Sequence, residues 1–561
     1  MSEIQNKLSD FKKKSNIIVN EFANKSLPTK LNRTTSGLEK YSGSWGAKQI
    51  AHLLRRTTFG AKKENLQTLK NKTLDEAIDL LLQPQNKPLP PVNYYQATYA
   101  DPNGIALGET WINSAYGDGT VNFYRRNGLR YWWIGLILNQ PISISEKMTL
   151  FWHNLLATET NEYDDARYAY LYSSLLRSFA IGNYKTLIKE ITLNPAMLKY
   201  LNGYLNTKTA PDENYARELQ ELFTLGKGPD SNYTEDDVKQ AAKILTGWKI
   251  NTSNPPSSYF DLTRHDTSNK IFSSFYNFKV IQGRNNSSAG TDELNDLINM
   301  IFSQDEVAKY ICRRLYRWFI YYVIDNNAEQ NIIIPLAQIF RNNNYEIKPV
   351  LETLLKSAHF FDPLNMGCMI KSPIDMTIGL SREYDILFPN STDLVKQYRG
   401  WQHLTEISNA MAQNIGDPPN IAGWPAYYQE PQFYEIWINS DTLPKRNAFS
   451  DAVISKNGYN RNSVKLIIEP ILLVDKFANP SDPNLLISEA LETIYAIDVT
   501  QTQIAFMKSI LLSNQSSDHY WTDAWNLYKA NPTNATYKEQ VNSRLQSFFK
   551  QMMNLAEYQL S

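Results

Sequence analysis

Residues 212–223 read Asp-Glu-Asn-Tyr-Ala-Arg-Glu-Leu-Gln-Glu-Leu-Phe, and the spacing of their apolar side chains decides the fold class. The apolar side chains stand at i, i+4, i+7 and i+8, which is the periodicity of an amphipathic helix with one buried face. They belong to Tyr215, Leu219, Leu222 and Phe223. The stretch therefore predicts a helix at about 212–225 that packs through one face against a core.

The same helical periodicity recurs along most of the chain on both sides of this stretch. Near the start, Ile50, Leu53 and Leu54 repeat it, and Thr73 with Glu76 forms a capping box, the signal of a helix N-terminus. Further helices are predicted at roughly 122–139, 144–158, 164–180, 184–203, 235–248, 291–325, 328–341, 346–358, 373–386 and 393–414, with C-terminal helices over 461–558, the first of them at 461–477. We predict an all-α fold: one large multi-helix domain over 44–561 after a flexible N-terminal arm at 1–43.

Three segments interrupt the helices and read as long loops rich in aromatic residues, proline or glycine, at about 84–120, 249–290 and 416–445. Ordered loops of this length often have functional roles. Within the second loop, Tyr259-Phe260 and Lys270-Ile271-Phe272 have strand-like composition, which predicts one small β-hairpin insert near 256–283.

Composition excludes several classes of protein. The 561 residues carry 57 basic and 57 acidic side chains, so the zero net charge gives no basic footprint for nucleic acid. Two cysteines, Cys312 and Cys368, exclude a disulfide framework or a cysteine-rich metal site. The most apolar run, at 131–138, is far below the roughly 20 residues of a membrane span. No signal peptide is visible, so the sequence predicts a cytoplasmic location.

The polar side of the helix at 212–225 offers one candidate site. Asn214, Glu218 and Glu221 share a face at i, i+4 and i+7, with Arg217 beside them. Two carboxylates and a guanidinium could perform acid/base chemistry or hold a metal. The alternative is a solvated face tied by an Arg217–Glu221 ion pair, which is common on exposed helices.

Two of the six histidines are further candidates. His153, in Phe-Trp-His-Asn at 151–154, is predicted at the edge of a helix stripe, where it either bonds a backbone carbonyl or faces a cavity. His265 with Asp266 forms a titratable pair in a polar loop. The spacings His-x-x-x-His and Glu-x-x-His are absent, so no sequence signature identifies a metal or a cofactor.

A rigid loop follows at 417–425, Asp-Pro-Pro-Asn-Ile-Ala-Gly-Trp-Pro, in which adjacent prolines restrict the backbone. Its Asn420 and Trp424 are candidate binding residues. The aromatic residues that follow to 437 form either a stacking platform or anchors for the loop. Gly-x-Gly-x-x-Gly, Walker and Gly-x-Ser-x-Gly motifs do not occur, so nucleotide binding and α/β-hydrolase chemistry have no support.

These segments together resemble a known family, catalogued in bacteria as domain of unknown function 1800. The similar motifs are Ala-His-Leu-Leu-Arg-Arg at 51–56, Phe-Trp-His-Asn at 151–154, Glu-Asn-Tyr-Ala-Arg-Glu-Leu at 213–219, Leu-Thr-Gly-Trp at 245–248, His-Asp at 265–266, Lys-Ser-Pro at 371–373, Pro-Pro-Asn-Ile-Ala-Gly-Trp-Pro at 418–425 and Leu-Ala-Glu-Tyr-Gln-Leu at 555–560. The chain departs from the family pattern at Asp212 and after Lys270. The resemblance implies an all-helical protein, often encoded beside a sulfatase-like family whose members carry export signals. Such a partner could carry this chain across a membrane.

Three functional hypotheses follow. The first is an envelope-associated or exported enzyme of acid/base hydrolase type that acts on a glycan or another polymer. Glu218 would be its general acid/base, with His153, or His265 beside Asp266, as the partner. The binding residues would be Arg217, Asn214, Glu221, Asn420 and Trp424. The second is a non-catalytic partner or chaperone of the sulfatase-like neighbour. The third is a metal-dependent oxygenase that uses His153, His265, Asp266 and Glu218. The sequence leaves open whether the protein is an enzyme.

Overall fold

The structure, a computed structural model, describes residues 33–561, most of which form α-helices. The helices are α1 (Ala47–Thr57), α2 (Lys63–Lys70), α3 (Leu74–Leu81), α4 (Gly119–Asn139), α5 (Ser145–Leu155), α6 (Thr160–Tyr163), α7 (Ala166–Ser178), α8 (Tyr184–Thr192), α9 (Pro195–Tyr200), α10 (Asn214–Glu221), α11 (Glu235–Ile244), α12 (Ala289–Phe302), α13 (Asp305–Phe319), α14 (Asn326–Ala328), α15 (Ile334–Asn342), α16 (Ile347–Lys356), α17 (Pro373–Glu383), α18 (Leu394–Ala410), α19 (Thr442–Ile454), α20 (Pro470–Val474), α21 (Pro483–Ile494), α22 (Gln501–Leu511), α23 (His519–Ala530) and α24 (Ala535–Asn554). The all-α prediction is confirmed.

Strands are few and short. The described chain holds three antiparallel hairpins: β1 (Trp248–Asn251) with β2 (Ser257–Phe260), β3 (Lys270–Ile271) with β4 (Val280–Ile281), and β5 (Tyr459–Arg461) with β6 (Val464–Leu466). Short 3-10 turns lie at Gly203–Leu205, Leu262–Arg264, Ser274–Tyr276, Ser391–Asp393, Pro425–Tyr427, Phe433–Trp437 and Ala556–Gln559, and a π-helical turn at Glu329–Ile333 joins α14 to α15.

Local capping residues set several of the helix boundaries. The predicted capping box forms at α3, where the N–H of Thr73 donates to the Glu76 carboxylate at 2.7 Å and Thr73 Oγ1 accepts the N–H of Glu76 at 3.3 Å. The predicted helix at 184–203 is instead two helices, because Asn194 caps a new one with Pro195 at its first position. The predicted helix at 291–325 also divides, with α13 beginning after the extended residue Gln304.

The predicted hairpin insert lies in the right segment, but its pairing is wrong. Tyr259 and Phe260 pair with β1, with Phe260 opposite Trp248, and Lys270 and Ile271 pair with β4. Each strand therefore joins a neighbour closer along the chain, which closes a shorter loop.

The predicted helix at 461–477 is also wrong over its first half, which is the β5–β6 hairpin. Val464 and Leu466 are buried while Lys465 between them is exposed, and this alternation has the period of a strand. The turn is made by Asn462 and Ser463, both with positive φ (50° and 63°), as a two-residue hairpin turn requires. A helix follows only at α20.

The predicted flexible arm at 1–43 falls largely on residues 1–32, which lie outside the described residues. Residues 33–43, however, are attached to the folded body. The N–H of Tyr41 donates to the carbonyl of Lys356 at 2.9 Å, and Glu39 accepts the N–H of Ala358 at 2.7 Å. Thr34 is buried beside His359.

Helix α4 is central to the architecture that surrounds the candidate sites. It is buried along most of its length and packs against α7 and α18. The long loop at 84–120 folds over it, held by an ion pair between Arg125 of α4 and Asp101, both fully buried, at 2.8 Å. Over residues 33–561, none of the helices is both long and apolar enough to cross a membrane.

Candidate functional site

His153 of α5 lies in the core and fastens the rigid loop to the helix. Its Nε2 accepts the backbone N–H of Gly416 at 3.1 Å, so its Nδ1 carries the proton and donates to the Tyr172 hydroxyl at 2.9 Å. That hydroxyl in turn donates to the carbonyl of Leu156 at 2.7 Å. Both ring nitrogens therefore have partners within the protein.

This environment keeps His153 neutral. Burial lowers its pKa to about 3, and the positive charge of Arg130 acts in the same direction. The predicted position at the edge of the core is wrong, because the side chain is fully enclosed. A neutral imidazole without a free nitrogen has no site from which to take a proton from a substrate, so His153 positions the loop.

Asn154, the next residue, holds the other end of the loop. Its Oδ1 accepts the N–H of Trp424 at 2.9 Å, and the Trp424 ring packs edge-on against His153 at 5.4 Å. Gly423 has φ +87°, and a Cβ there would overlap the backbone oxygen of Asn154. The motifs at 151–154 and 418–425 therefore form one junction. Asn420 lies apart from it on the surface, where its side chain donates to the Tyr428 hydroxyl.

The polar face of α10 lies at the surface with a different ion-pair pattern from the one predicted. Arg217 makes a double contact with Glu235 of α11, at 2.7 Å for each pair of atoms, and a further one with Glu213 at 3.2 Å. Glu221 pairs with Lys227 at 2.5 Å. The predicted Arg217–Glu221 pair is therefore absent from α10, and Asn214 is exposed to solvent.

Glu218 is the exception on this face. Its Oε2 is buried without a hydrogen-bond partner. Burial raises the pKa of Glu218, and the negative charge of Glu221 raises it further. Tyr200, whose hydroxyl donates to Glu159 at 2.8 Å, lies close enough to be influenced by the Glu218 charge. A raised pKa makes a carboxyl group better suited to donate a proton than an ordinary carboxyl group.

His265 lies at a third location, between the first two hairpins along the chain, in a buried cluster of charged side chains. Its Nδ1 lies 3.0 Å from the carbonyl of Thr246, and its Nε2 lies 3.2 Å from Glu293 Oε1, an ion-pair distance without the alignment of a good hydrogen bond. Lys270 donates to the other oxygen of Glu293 at 2.6 Å, and both side chains are fully buried. Burial alone would raise the pKa of Glu293, but these neighbours lower it. The Asp266 carboxylate is not part of this cluster; it accepts the backbone N–H of Ser268.

The predicted residues therefore occupy separate places. Within residues 33–561, no hydrogen bond or ion pair joins His153, Glu218 and His265 to one another. The same part of the chain has no group of three His, Cys, Asp or Glu side chains arranged to hold a metal ion. The ligand set proposed for a metal-dependent oxygenase is not assembled. Glu293, the central anion of the His265 cluster, has no motif around it that would have identified it from sequence.

A depression with several aromatic walls lies elsewhere, between the loop at 84–120 and helices α4 and α18. We call it the aromatic cleft; its volume is about 520 Å³, within the usual range of ligand pockets. Its aromatic walls are Tyr94, Tyr95, Phe123, Tyr124 and Tyr131, and its polar lining includes Asn127, Arg130, Arg399, Gln402, Glu406, Asn409 and Asn414. The sequence predicted a functional role for this loop but not the cleft.

The walls of the aromatic cleft are held rigidly. Tyr94 stacks on Tyr398 with centroids 4.7 Å apart and planes 8° apart, and Tyr95 stacks on Tyr124 at 5.4 Å. The Tyr95 hydroxyl donates to Asp101, the buried partner of Arg125. The faces are thus fixed before any ligand binds, which lowers the entropic cost of binding.

The floor of the cleft connects it to the His153 junction. Arg130, which lines the cleft, forms an ion pair with Asp417, the first residue of the rigid loop, and bonds Thr160 and Asn161. The neighbouring Gly416 is the residue that His153 holds. His153 therefore holds the backbone next to Asp417, and Asp417 pairs with the arginine that lines the cleft.

These features define a large α-helical protein with an aromatic cleft and buried polar junctions built from its sequence motifs. A family model described as "Protein of unknown function (DUF1800)" matches residues 52–560, nearly the whole chain. The protein belongs to this family. No curated protein and no solved structure matches the chain.

Proposed function

We propose that this protein binds a glycan, or another polymer with sugar-like faces, in the aromatic cleft. The observation that carries the proposal is the exposed ring of Phe123 beside the half-buried rings of Tyr94 and Tyr124, in a cleft that also has hydrogen-bonding side chains in its lining. Sugar rings present apolar C–H faces and hydroxyl edges, so they suit flat aromatic walls with amide and guanidinium groups between them.

The lining of the cleft supports binding there more strongly than hydrolysis. Glycoside hydrolysis requires two carboxyl groups about 5–9.5 Å apart. Among the residues that line the described cleft, Glu406 is the one carboxylate, and it is paired with Arg461 and hydrogen-bonded to Gln402. The cleft itself is therefore proposed as a binding site.

Phe123→Ala tests this proposal, with soluble oligosaccharides of four to six sugar units as the probes. Phe123 is 54% exposed on the cleft wall, and Phe506, equally exposed, lies on the distant helix α22 and serves as the control. Loss of one stacking face should weaken binding by about 1 kcal/mol, roughly fivefold, in isothermal titration calorimetry. Equal affinities for the wild type, Phe123→Ala and Phe506→Ala would show that sugars do not bind in the cleft.

A catalytic role for Glu218 as a general acid is a separate part of the proposal, because Glu218 does not line the aromatic cleft. Its support is the unpaired Oε2 and the raised pKa. Glu218→Gln should abolish release of reducing ends from a polysaccharide that binds, whereas Glu190→Gln, at an exposed position on helix α8, should retain it. Unchanged activity in Glu218→Gln removes the catalytic role and leaves the binding role intact.

The second candidate function is that of a partner for the sulfatase-like neighbour. One observation favours it: Ile271, Phe278 and Val280 expose apolar side chains together on the β3–β4 hairpin. Exposed apolar clusters often mark protein interfaces. The two proteins, co-expressed, should elute together at micromolar concentration, and Phe278→Ser should separate them. Separate elution of the wild-type proteins would remove the support for this function.

A further inference from the structure

Five cations lie buried together where distant parts of the chain meet. Each has a relative exposure of at most 5%, and they are Arg55 and Arg56 of α1, Lys147 of α5, Lys371 before α17, and Arg446 of α19. They are neighbours in space: the charges of Arg55 and Arg446 both act on Lys371, and that of Arg56 acts on Lys147. The Arg446 guanidinium also donates to the backbone carbonyl of Lys371 at 2.8 Å.

Two carboxylates accompany these cations. Asp375 forms an ion pair with Lys147, and Glu383 lies 3.3 Å from Arg55 and 3.9 Å from Lys371. Five cations against two carboxylates leave an excess of three positive charges in this part of the described chain. A carboxylate at Ser561, beside Arg56, would lower the excess to two.

Arg56 and Arg446 carry this excess most directly, because neither forms an ion pair with an Asp or Glu side chain of the described residues. One nitrogen of Arg56 lies 3.4 Å from the O and 3.3 Å from the Oγ of Ser561. Arg56 donates to the carbonyls of Phe319 and Ile320 at 2.9 and 2.8 Å, and to the sulfur of Met369. Arg446 donates to carbonyls and to Gln559, and its Nε is buried without a partner.

Burying unpaired charge in this way is costly. An ionised group moved from water to the protein interior loses several kcal/mol even after relaxation, unless an opposite charge accompanies it. Accordingly, burial lowers the pKa of Lys371 to about 8 and that of Arg446 to about 10, and it lowers the pKa values of Arg56 and Lys147 as well. The site is therefore short of negative charge.

A small cavity lies within this cluster. Its volume is about 20 Å³, and its walls include Arg55, Arg56, Lys147 and Trp318. The indole N–H of Trp318 is buried without an acceptor, and the ring packs against Tyr427 with centroids 4.4 Å apart and planes tilted by 34°. The cavity thus has hydrogen-bond donors in its wall, an unused donor among them, and surplus positive charge around it.

We propose that this cavity is a binding site for a small monovalent inorganic anion of about the size of chloride. An anion supplies the missing negative charge and accepts hydrogen bonds from the donors in the wall. A water molecule, which needs about 10–15 Å³ by the same measure, would fill the space and accept a hydrogen bond but leave the charge uncompensated. Phosphate and sulfate are too large for the cavity. Asp375 also lines it, with its charge already committed to Lys147.

The first test uses anomalous scattering from bromide, which replaces chloride in such sites. Crystals of the full chain soaked in sodium bromide should show an anomalous peak in the cavity, within about 3.5 Å of Arg56 or Trp318. The absence of a peak there, with ordered bromide elsewhere on the surface, overturns the proposal.

The second test measures thermal stability at constant ionic strength as chloride replaces gluconate. At a chloride concentration 100 times the Kd, the Tm should be about 2 °C higher than without chloride, and it should continue to rise with the logarithm of the chloride concentration. The rise should be lost in Arg56→Met and kept in Arg126→Met, a buried arginine of α4 that pairs with Asp164 instead.

If Arg56→Met does not fold, the chloride titration of the wild-type protein still tests the proposal. Equal Tm values in chloride and gluconate overturn the proposal. A bromide peak without chloride-dependent stabilisation shows an adventitious ion only, and it overturns the proposal too.

Discussion

The enclosed His153 should make the protein lose stability in mild acid. The folded-state pKa of His153 is about 3, whereas the ordinary value is 6.5. Between these two pH values the unfolded chain binds a proton that the folded chain does not bind. The contribution of His153 to the free energy of unfolding therefore falls as the pH drops through 6.5 toward 3, whereas well above pH 6.5 the residue is neutral in both states and contributes no pH dependence.

The size of the effect follows from the pKa difference. Each pH unit between 6.5 and 3 costs about 1.4 kcal/mol for one histidine. At pH 4.5 this amounts to about 2.7 kcal/mol from His153. Burial lowers the pKa of His52 to about 3 as well, so this second histidine adds a similar loss. The side chain of His153 is fully enclosed, so solvent screening does not reduce its share.

His153→Gln isolates this contribution, because glutamine has a donor and an acceptor but does not titrate. Urea unfolding of both proteins at pH 7.5, 6.5, 5.5 and 4.5 gives the free energy of unfolding at each pH. We expect the variant to be less stable than the wild type at pH 7.5 but to lose about 2.7 kcal/mol less between pH 7.5 and 4.5. His519→Gln, at an exposed position, should leave the wild-type pH dependence unchanged. Parallel curves for the wild type and His153→Gln would refute the assignment of His153 as a neutral, buried anchor.

Three other substitutions test the junctions around the candidate sites, each by urea unfolding at pH 7.5. Gly423→Ala should lower the free energy of unfolding by roughly 2–5 kcal/mol, because it combines a positive φ with steric overlap. Gly104→Ala, which has a positive φ but open space around it, should lower it by about 1–2 kcal/mol. Equal losses in the two variants would contradict the close contact at Gly423. Asp101→Asn should lower the free energy of unfolding by about 3–5 kcal/mol and expose the loop at 84–120 to proteolysis, because Arg125 loses its buried partner. A loop that resists the protease would show that the Arg125–Asp101 ion pair does not hold the loop in place. Glu293→Gln should also cost about 3–5 kcal/mol, and a loss below 1 kcal/mol would mean that the cluster is not a buried ion pair.

Local patterns in the sequence predicted the helices well where the signal lies within a few residues. The capping box at Thr73 needs four residues, and the stripe of α10 repeats within two turns, so both could be recognised without a partner segment. The predictions were wrong where the conformation of a segment, helix or strand, depends on its packing against distant parts of the chain. Residues 459–466 form a hairpin because Val464 and Leu466 pack into the core on one side of it. The sequence does not show that these two side chains meet a core there.

The candidate residues were recognised as special by their motifs, but their roles depend on neighbours far along the chain. His153 is an anchor because Gly416 and Tyr172 occupy both ring nitrogens. Glu218 keeps an unpaired oxygen while Arg217 beside it turns to Glu235. Neither arrangement follows from the spacing of residues on one helix.

The sequence by itself determined the helical class, the positions of most helices, the family and the motif residues, because helical periodicity and end caps are local properties of the chain. The tertiary structure decided which charges are buried, which ring nitrogens are free, and where cavities remain. Ion pairs such as Arg130–Asp417 and the cation cluster around Arg56 join residues hundreds of positions apart. Their energies depend on burial, and burial exists only once the helices have packed.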